Sequence, residues 1–198
     1  MWLQQIENAM ALQFRIQIKN IQRPPVWRQV IVPETFTFDQ FHQVIQEVFG
    51  WSKSHLYQFS PAGYGSIPII AIPSENEWEK PDKNAIKTKL KDVFKVEKQK
   101  YTYIYDFGDD WIHGIILEKI LPEKAVRASC FAGKGNCPPE DCGGPLGYER
   151  IKEILKDPKH KEYKDIREWL GLDGEGEENV WDVNDFDLDY ANEILNDI

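Results

Sequence analysis

From Leu12 onward the chain alternates apolar and polar residues, with Leu12, Phe14, Ile16 and Ile18 set against Gln13, Arg15, Gln17 and Lys19. A period of two is the spacing of a strand with one buried face. Pro24 and Pro25 interrupt the pattern and Val26 to Val32 resumes it, so residues 12–32 predict an antiparallel pair. Arg23 and Arg28 flank the break and read as the basic side chains that keep a sheet edge soluble. The period then lengthens. Phe38, Phe41, Val44, Ile45, Val48 and Phe49 form one helical stripe; Thr37 with Gln40 makes a capping box before it, and Gly50 supplies a left-handed stop after it. His42 lies beside the stripe and reads as a partly exposed helix histidine.

Short strands are predicted around Leu56–Phe59 and Ile67–Ile72, the latter at an edge because of Pro68. Residues 73–100 are polar and lysine-rich with interspersed acids, and predict a connection with one helical turn at Leu90, Val93 and Phe94. Tyr101, Tyr103, Tyr105 and Phe107 alternate with Thr102, Ile104 and Asp106; Gly108, Asp109 and Asp110 turn the chain, and Trp111 to Leu121 returns as the second arm of a hairpin. Apolar periodicity predicts helices over 148–156 and 161–170, and a last one behind Asp187 carrying Tyr190, Ala191, Ile194 and Leu195. These elements make one α+β domain over residues 11–198, after an extension of residues 1–10. Its expected core is a mixed, mostly antiparallel sheet of about five or six strands covered by helices.

Composition narrows the setting more than the activity. Hydrophobic residues at 41% with seven tryptophans indicate a packed core. No basic region precedes an apolar segment, which argues against a signal peptide or membrane span. Three cysteines without a secretion signal point to the cytoplasm. Residues 171–198 hold ten acids and no lysine or arginine, so the net charge of −9 belongs to the tail, and the remaining 24 basic and 23 acidic residues nearly balance. Duplex DNA binding usually needs a concentrated basic face, and a whole-chain pI near 5.0 makes duplex DNA a poor candidate partner.

Candidate chemistry gathers between Tyr101 and Gly144. The hairpin end places Asp106, Asp109, Asp110 and Trp111 together as a candidate binding surface. With His113, the three acids offer oxygen and nitrogen ligands for a divalent metal, or simply ordinary turn chemistry. Cys130, Cys137 and Cys142 supply three thiols; zinc needs four ligands, with His113 the first candidate for the fourth and Asp141 the second. The alternative is a set of reduced, partly buried thiols with no ligand role. The Asp106-Phe107-Gly108 triplet lacks the other parts of a kinase. Asp185, Asp187 and Asp189 have calcium-loop spacing, but Tyr190 stands where glycine is required.

PPVWRQV at 24–30, FGW at 49–51, HLYQF at 55–59, YDFGDDWIH at 105–113 and CPPEDCGGPLGY at 137–148 together resemble the plasmid-borne open-reading-frame-three family of root-inducing plasmids. Relatives of that family also travel as passenger proteins of an insertion element. The resemblance covers residues 11–196 and implies a single α+β domain, association of some relatives with mobile elements, and no established activity or catalytic residue. Two expectations follow. One is a binding or adaptor module that holds a protein partner through the acidic, aromatic hairpin; the other is a metal-dependent hydrolase using the carboxylates and His113.

Overall fold

The structure, a computed structural model, describes residues 9–73, 80–172, 174, 181–196 and 198. Nearly all of the extension expected at residues 1–10 lies outside them, as do residues 175–180 of the acidic stretch. The elements run β1 (Met10–Ile18), β2 (Trp27–Pro33), α1 (Phe38–Phe49), β3 (Tyr57–Ser60), β4 (Ile70–Ala71), β5 (Lys83–Asn84), α2 (Leu90–Val93), β6 (Lys100–Tyr105), β7 (Trp111–Lys124), β8 (Ser129–Lys134), α3 (Gly144–Lys156), α4 (Tyr163–Trp169) and α5 (Leu188–Leu195). All eight strands join one sheet in the order β5-β4-β3-β6-β7-β1-β2-β8, and every pairing is antiparallel except β4 with β5. The class is the expected α+β. The strand count is higher because β5 is only two residues of a polar connection, and because the Cys130 segment, which carries no clear alternation, pairs with β2.

The inner face buries the apolar set that the pattern marks: Leu12, Phe14, Ile16 and Ile18 from β1, Val30 and Val32 from β2, and Tyr103, Tyr105, Trp111, Ile115 and Leu117 from the β6–β7 hairpin. Onto it packs α1, whose capping box is complete: Thr37 Oγ1 accepts from Gln40 N at 3.2 Å and Gln40 Oε1 accepts from Thr37 N at 3.0 Å. Phe14, Phe38, Phe41, Phe59 and Phe94 interlock with ring centroids 4.8–6.0 Å apart, a spacing that adds edge and offset contacts to simple burial.

Arg28 corrects the sheet-edge reading. β8 covers β2, so Arg28 is interior and only 2% exposed. Its Nε donates to Val48 O at 2.7 Å and its Nη1 to Trp27 O and Lys134 O. That first bond gives α1 a cation at its C-terminal end, where the helix itself has no basic residue. Phe186 from the tail stacks over the guanidinium at 4.0 Å. The tail docks further through Trp181 against Tyr148, and through α5, whose Ala191 and Leu195 are buried. Asp187 caps α5 by accepting from Tyr190 N, while the Tyr190 side chain is exposed.

Candidate functional site

The YDFGDDWIH segment turns sharply because Asp106 and Asp110 both adopt positive φ, at 55°. Aspartate tolerates this left-handed conformation better than most residues, since its short carboxylate can bond nearby backbone. Asp106 accepts from Gly108 N at 2.9 Å, which closes the turn. Asp109 reaches across to the cysteine loop and accepts from Gly143 N at 3.0 Å. Asp110, on the exposed side, accepts from the Tyr64 hydroxyl, and Phe107 lies exposed beside Tyr64.

The loop at 137–144 brings Glu140 and Asp141 against this turn, and the segment 51–56 brings His55. Glu140 Oε1 accepts from Ser52 N at 2.8 Å and from the Tyr105 hydroxyl at 3.0 Å, while Trp51 Nε1 donates to Pro138 O at 2.9 Å. His55 sits in the middle: Nδ1 is 3.8 Å from Asp106 Oδ1, and Nε2 is 3.3 Å from Asp141 Oδ1 and 3.7 Å from Glu140 Oε2. His55 Nε2 and Glu140 Oε2 are both shut off from solvent without a hydrogen-bond partner. Among the described residues, His55, Asp106 and Asp141 form the group whose ligand atoms all lie within 4.8 Å of one another.

The structure sorts the sequence candidates differently from their spacing. Asp106, Asp109 and Asp110 share the hairpin end as expected. Trp111, expected on the binding surface, lies fully inside the core against Trp51, because the strand alternation that exposes Asp110 turns the next residue inward. His113 is also fully buried, packed edge-on against Phe49 and Trp51 and tilted against Tyr103. Its Nδ1 donates to Trp111 O at 2.8 Å, which fixes the tautomer, and burial lowers its pKa to about 3. Trp51 packs edge-on against His113 and bonds the cysteine loop through its indole nitrogen. Among the described residues, Cys130, Cys137, Cys142 and His113 do not form a group whose ligand atoms lie within 4.8 Å of one another. Cys130 lies buried in β8, while Cys137 and Cys142 sit half-buried at the two ends of the loop. Burial raises all three thiol pKa values, that of Cys142 to about 12, with nearby Asp109 adding to the shift there.

Sequence reasoning passed over His55 and Glu140. Both lie inside motifs quoted above, HLYQF and CPPEDCGG, but nothing in one dimension says that residues 55 and 140 meet. The β3–β6 register, Tyr57 opposite Tyr105, is what delivers His55 to Asp106.

Residues 10–190 match the family described as plasmid pRiA4b ORF-3-like protein. An uncharacterised protein, y4hQ, of Sinorhizobium fredii (strain NBRC 101917 / NGR234) is 33% identical over 164 residues, which is 82% of each chain. Among solved structures, the protein of unknown function MM3350 from Methanosarcina mazei Go1 is 37% identical with a TM-score of 0.78, over 91% of this chain and 97% of that one. The match over nearly the whole chain makes this protein a member of the plasmid pRiA4b ORF-3-like family.

Proposed function

We propose that the protein is a binding module whose acidic, aromatic-rimmed end takes a cationic group of a protein partner. The observation that supports this reading is the set of carboxylates around His55, whose Nε2 lies 3.3 Å from Asp141 Oδ1 and 3.7 Å from Glu140 Oε2 without either Nε2 or Glu140 Oε2 making a hydrogen bond. A polar group left in that state costs on the order of 1–3 kcal/mol. An arginine or lysine side chain reaching Glu140 and Asp141 would offset that cost with charge-assisted hydrogen bonds. Phe107 and Tyr64 at the rim add apolar and cation–π contact. The setting we propose is the cytoplasm, in keeping with three free thiols. The family description names a plasmid, so a basic protein of a mobile element is the first partner to try. The test is calorimetric titration with a blocked Lys/Arg-rich peptide. Saturable binding that weakens with salt and falls about tenfold in the Glu140→Gln, Asp141→Asn double variant supports the reading. No binding, or equal binding by the variant, defeats it.

A second reading, metal-assisted hydrolysis, is favoured by the His55, Asp106 and Asp141 group. Asp106 beside Nδ1 would orient the ring so that Nε2 faces a metal, as carboxylates commonly do for ligand histidines. Elemental analysis of protein purified without chelator, joined to a phosphoester assay with added Mn²⁺, separates the two readings. Zinc on Cys130, Cys137 and Cys142 is a proposal for the same measurement, and Cys142→Ser distinguishes a thiol site from the His55 site.

A further inference from the structure

The face of the sheet opposite the helices contains a recess floored by a glycine. Gly114 lies within β7, paired with Gln17 of β1 on one side and Thr102 of β6 on the other. Two residues along, Ile116 pairs with Arg15 and with Lys100. Just past β1 the chain stays attached through Lys19 N, which donates to Ile112 O at 2.7 Å. Opposed residues share a face, so Arg15, Gln17, Lys19, Lys100 and Thr102 stand around the point where β7 has no side chain. The hollow measures about 300 Å³. Lys19 leans over its floor, since a Cβ on Gly114 would come within 2.9 Å of Lys19 Nζ. A glycine inside a strand often marks such a close approach.

The lining holds three cations and no acid, in a chain whose net charge is −9. Among the described residues none of the three is ion-paired to a carboxylate. Arg15 is instead held over the Trp27 ring at 4.0 Å, which preorganises its guanidinium. Like charges facing one hollow raise the local potential, and an anion entering it relieves their repulsion.

We propose that this recess binds a small organic phosphate. Cations from β1, its continuation at Lys19 and β6, standing on both sides of β7, match a dianion with several acceptor oxygens better than a single carboxylate. Gln17 and Thr102 add neutral hydrogen-bonding groups, and Ile116 offers apolar surface to the organic part. The volume suits a ligand at the small end of the usual range. None of these residues belongs to the His55 cluster, so this proposal and the binding module stand or fall separately.

The test is calorimetric titration of the full chain at low salt with adenosine 5′-monophosphate, inorganic phosphate, adenosine and succinate. We expect one saturable site for the monophosphate, weaker binding of inorganic phosphate, and none of adenosine. Lys100→Gln, at an exposed position, should weaken the monophosphate about tenfold with an unchanged melting curve, and Gly114→Leu should abolish binding by filling the floor. The proposal is overturned by no saturable binding of either phosphate probe, by succinate bound as tightly as the monophosphate, or by affinity unaltered by Lys100→Gln. An oligonucleotide bound with affinity that grows with its length also overturns it, as does dimerisation that masks the recess.

Discussion

A guanidinium with only backbone carbonyls as hydrogen-bond partners makes Arg28 hard to replace even by lysine. An ammonium is a compact donor and cannot serve Val48, Trp27 and Lys134 from one position. We expect Arg28→Lys to destabilise the protein by about 1–3 kcal/mol, read as a lowered urea midpoint at unchanged slope. Two histidines govern a pH response. Burial lowers the His42 pKa to about 4 and that of His113 to about 3, whereas an unfolded histidine titrates near 6.5. Between those values the unfolded chain binds protons that the folded chain refuses, so these two sites withdraw stability as pH falls from about 6.5 towards 4. Melting temperatures should drop across that window, and His42→Gln should flatten the drop. The sequence shows a histidine beside the α1 stripe but not its burial, which comes from stacking on Tyr57 at 3.8 Å and a 2.7 Å bond to the Tyr103 hydroxyl.

Capping and docking are separable at the scale of elements. Thr37→Ala removes one half of the α1 capping box and should cost about 1 kcal/mol, measurable by chemical denaturation. α5 and the Trp181–Phe186 segment are a larger matter: Phe186 lies so close over β8 that a Cβ on Gly133 would come within 2.4 Å of its ring. Deleting residues 181–198 should lower the melting temperature by several degrees, and an unchanged curve would sink the idea that the tail supports the core. β1, β2, α1 and the β6–β7 hairpin were legible in the sequence because each carries a clean period and its own stop signal. β8 was not, since Ser129–Lys134 becomes a strand through its partner β2 rather than through any alternation of its own. The candidate site was half legible for the same reason. The acids of the β6–β7 turn are local, while His55 and Glu140 reach them only through tertiary contacts.

At the scale of the whole molecule, the His55 carboxylate cluster and the recess lined by Arg15, Lys19 and Lys100 share no residue. The carboxylate cluster occupies the end where the β6–β7 turn meets the cysteine loop, and the Gly114 recess lies on the other face of the sheet from α1. A second consequence comes from the strand order. β1 sits between β2 and β7, with Met10 opposite Lys124 and Ile18 opposite His113. The centre of the sheet thus joins segments about a hundred residues apart in the chain. Pairings this remote delay folding, because loop closure must precede any gain from them. On a ribosome, the β1–β2 hairpin would emerge with its β7-facing edge unpaired and wait for most of the chain to be made. During that interval its exposed backbone is open to the wrong strand, so yield in a fast-translating host should improve when synthesis is slowed by lower temperature.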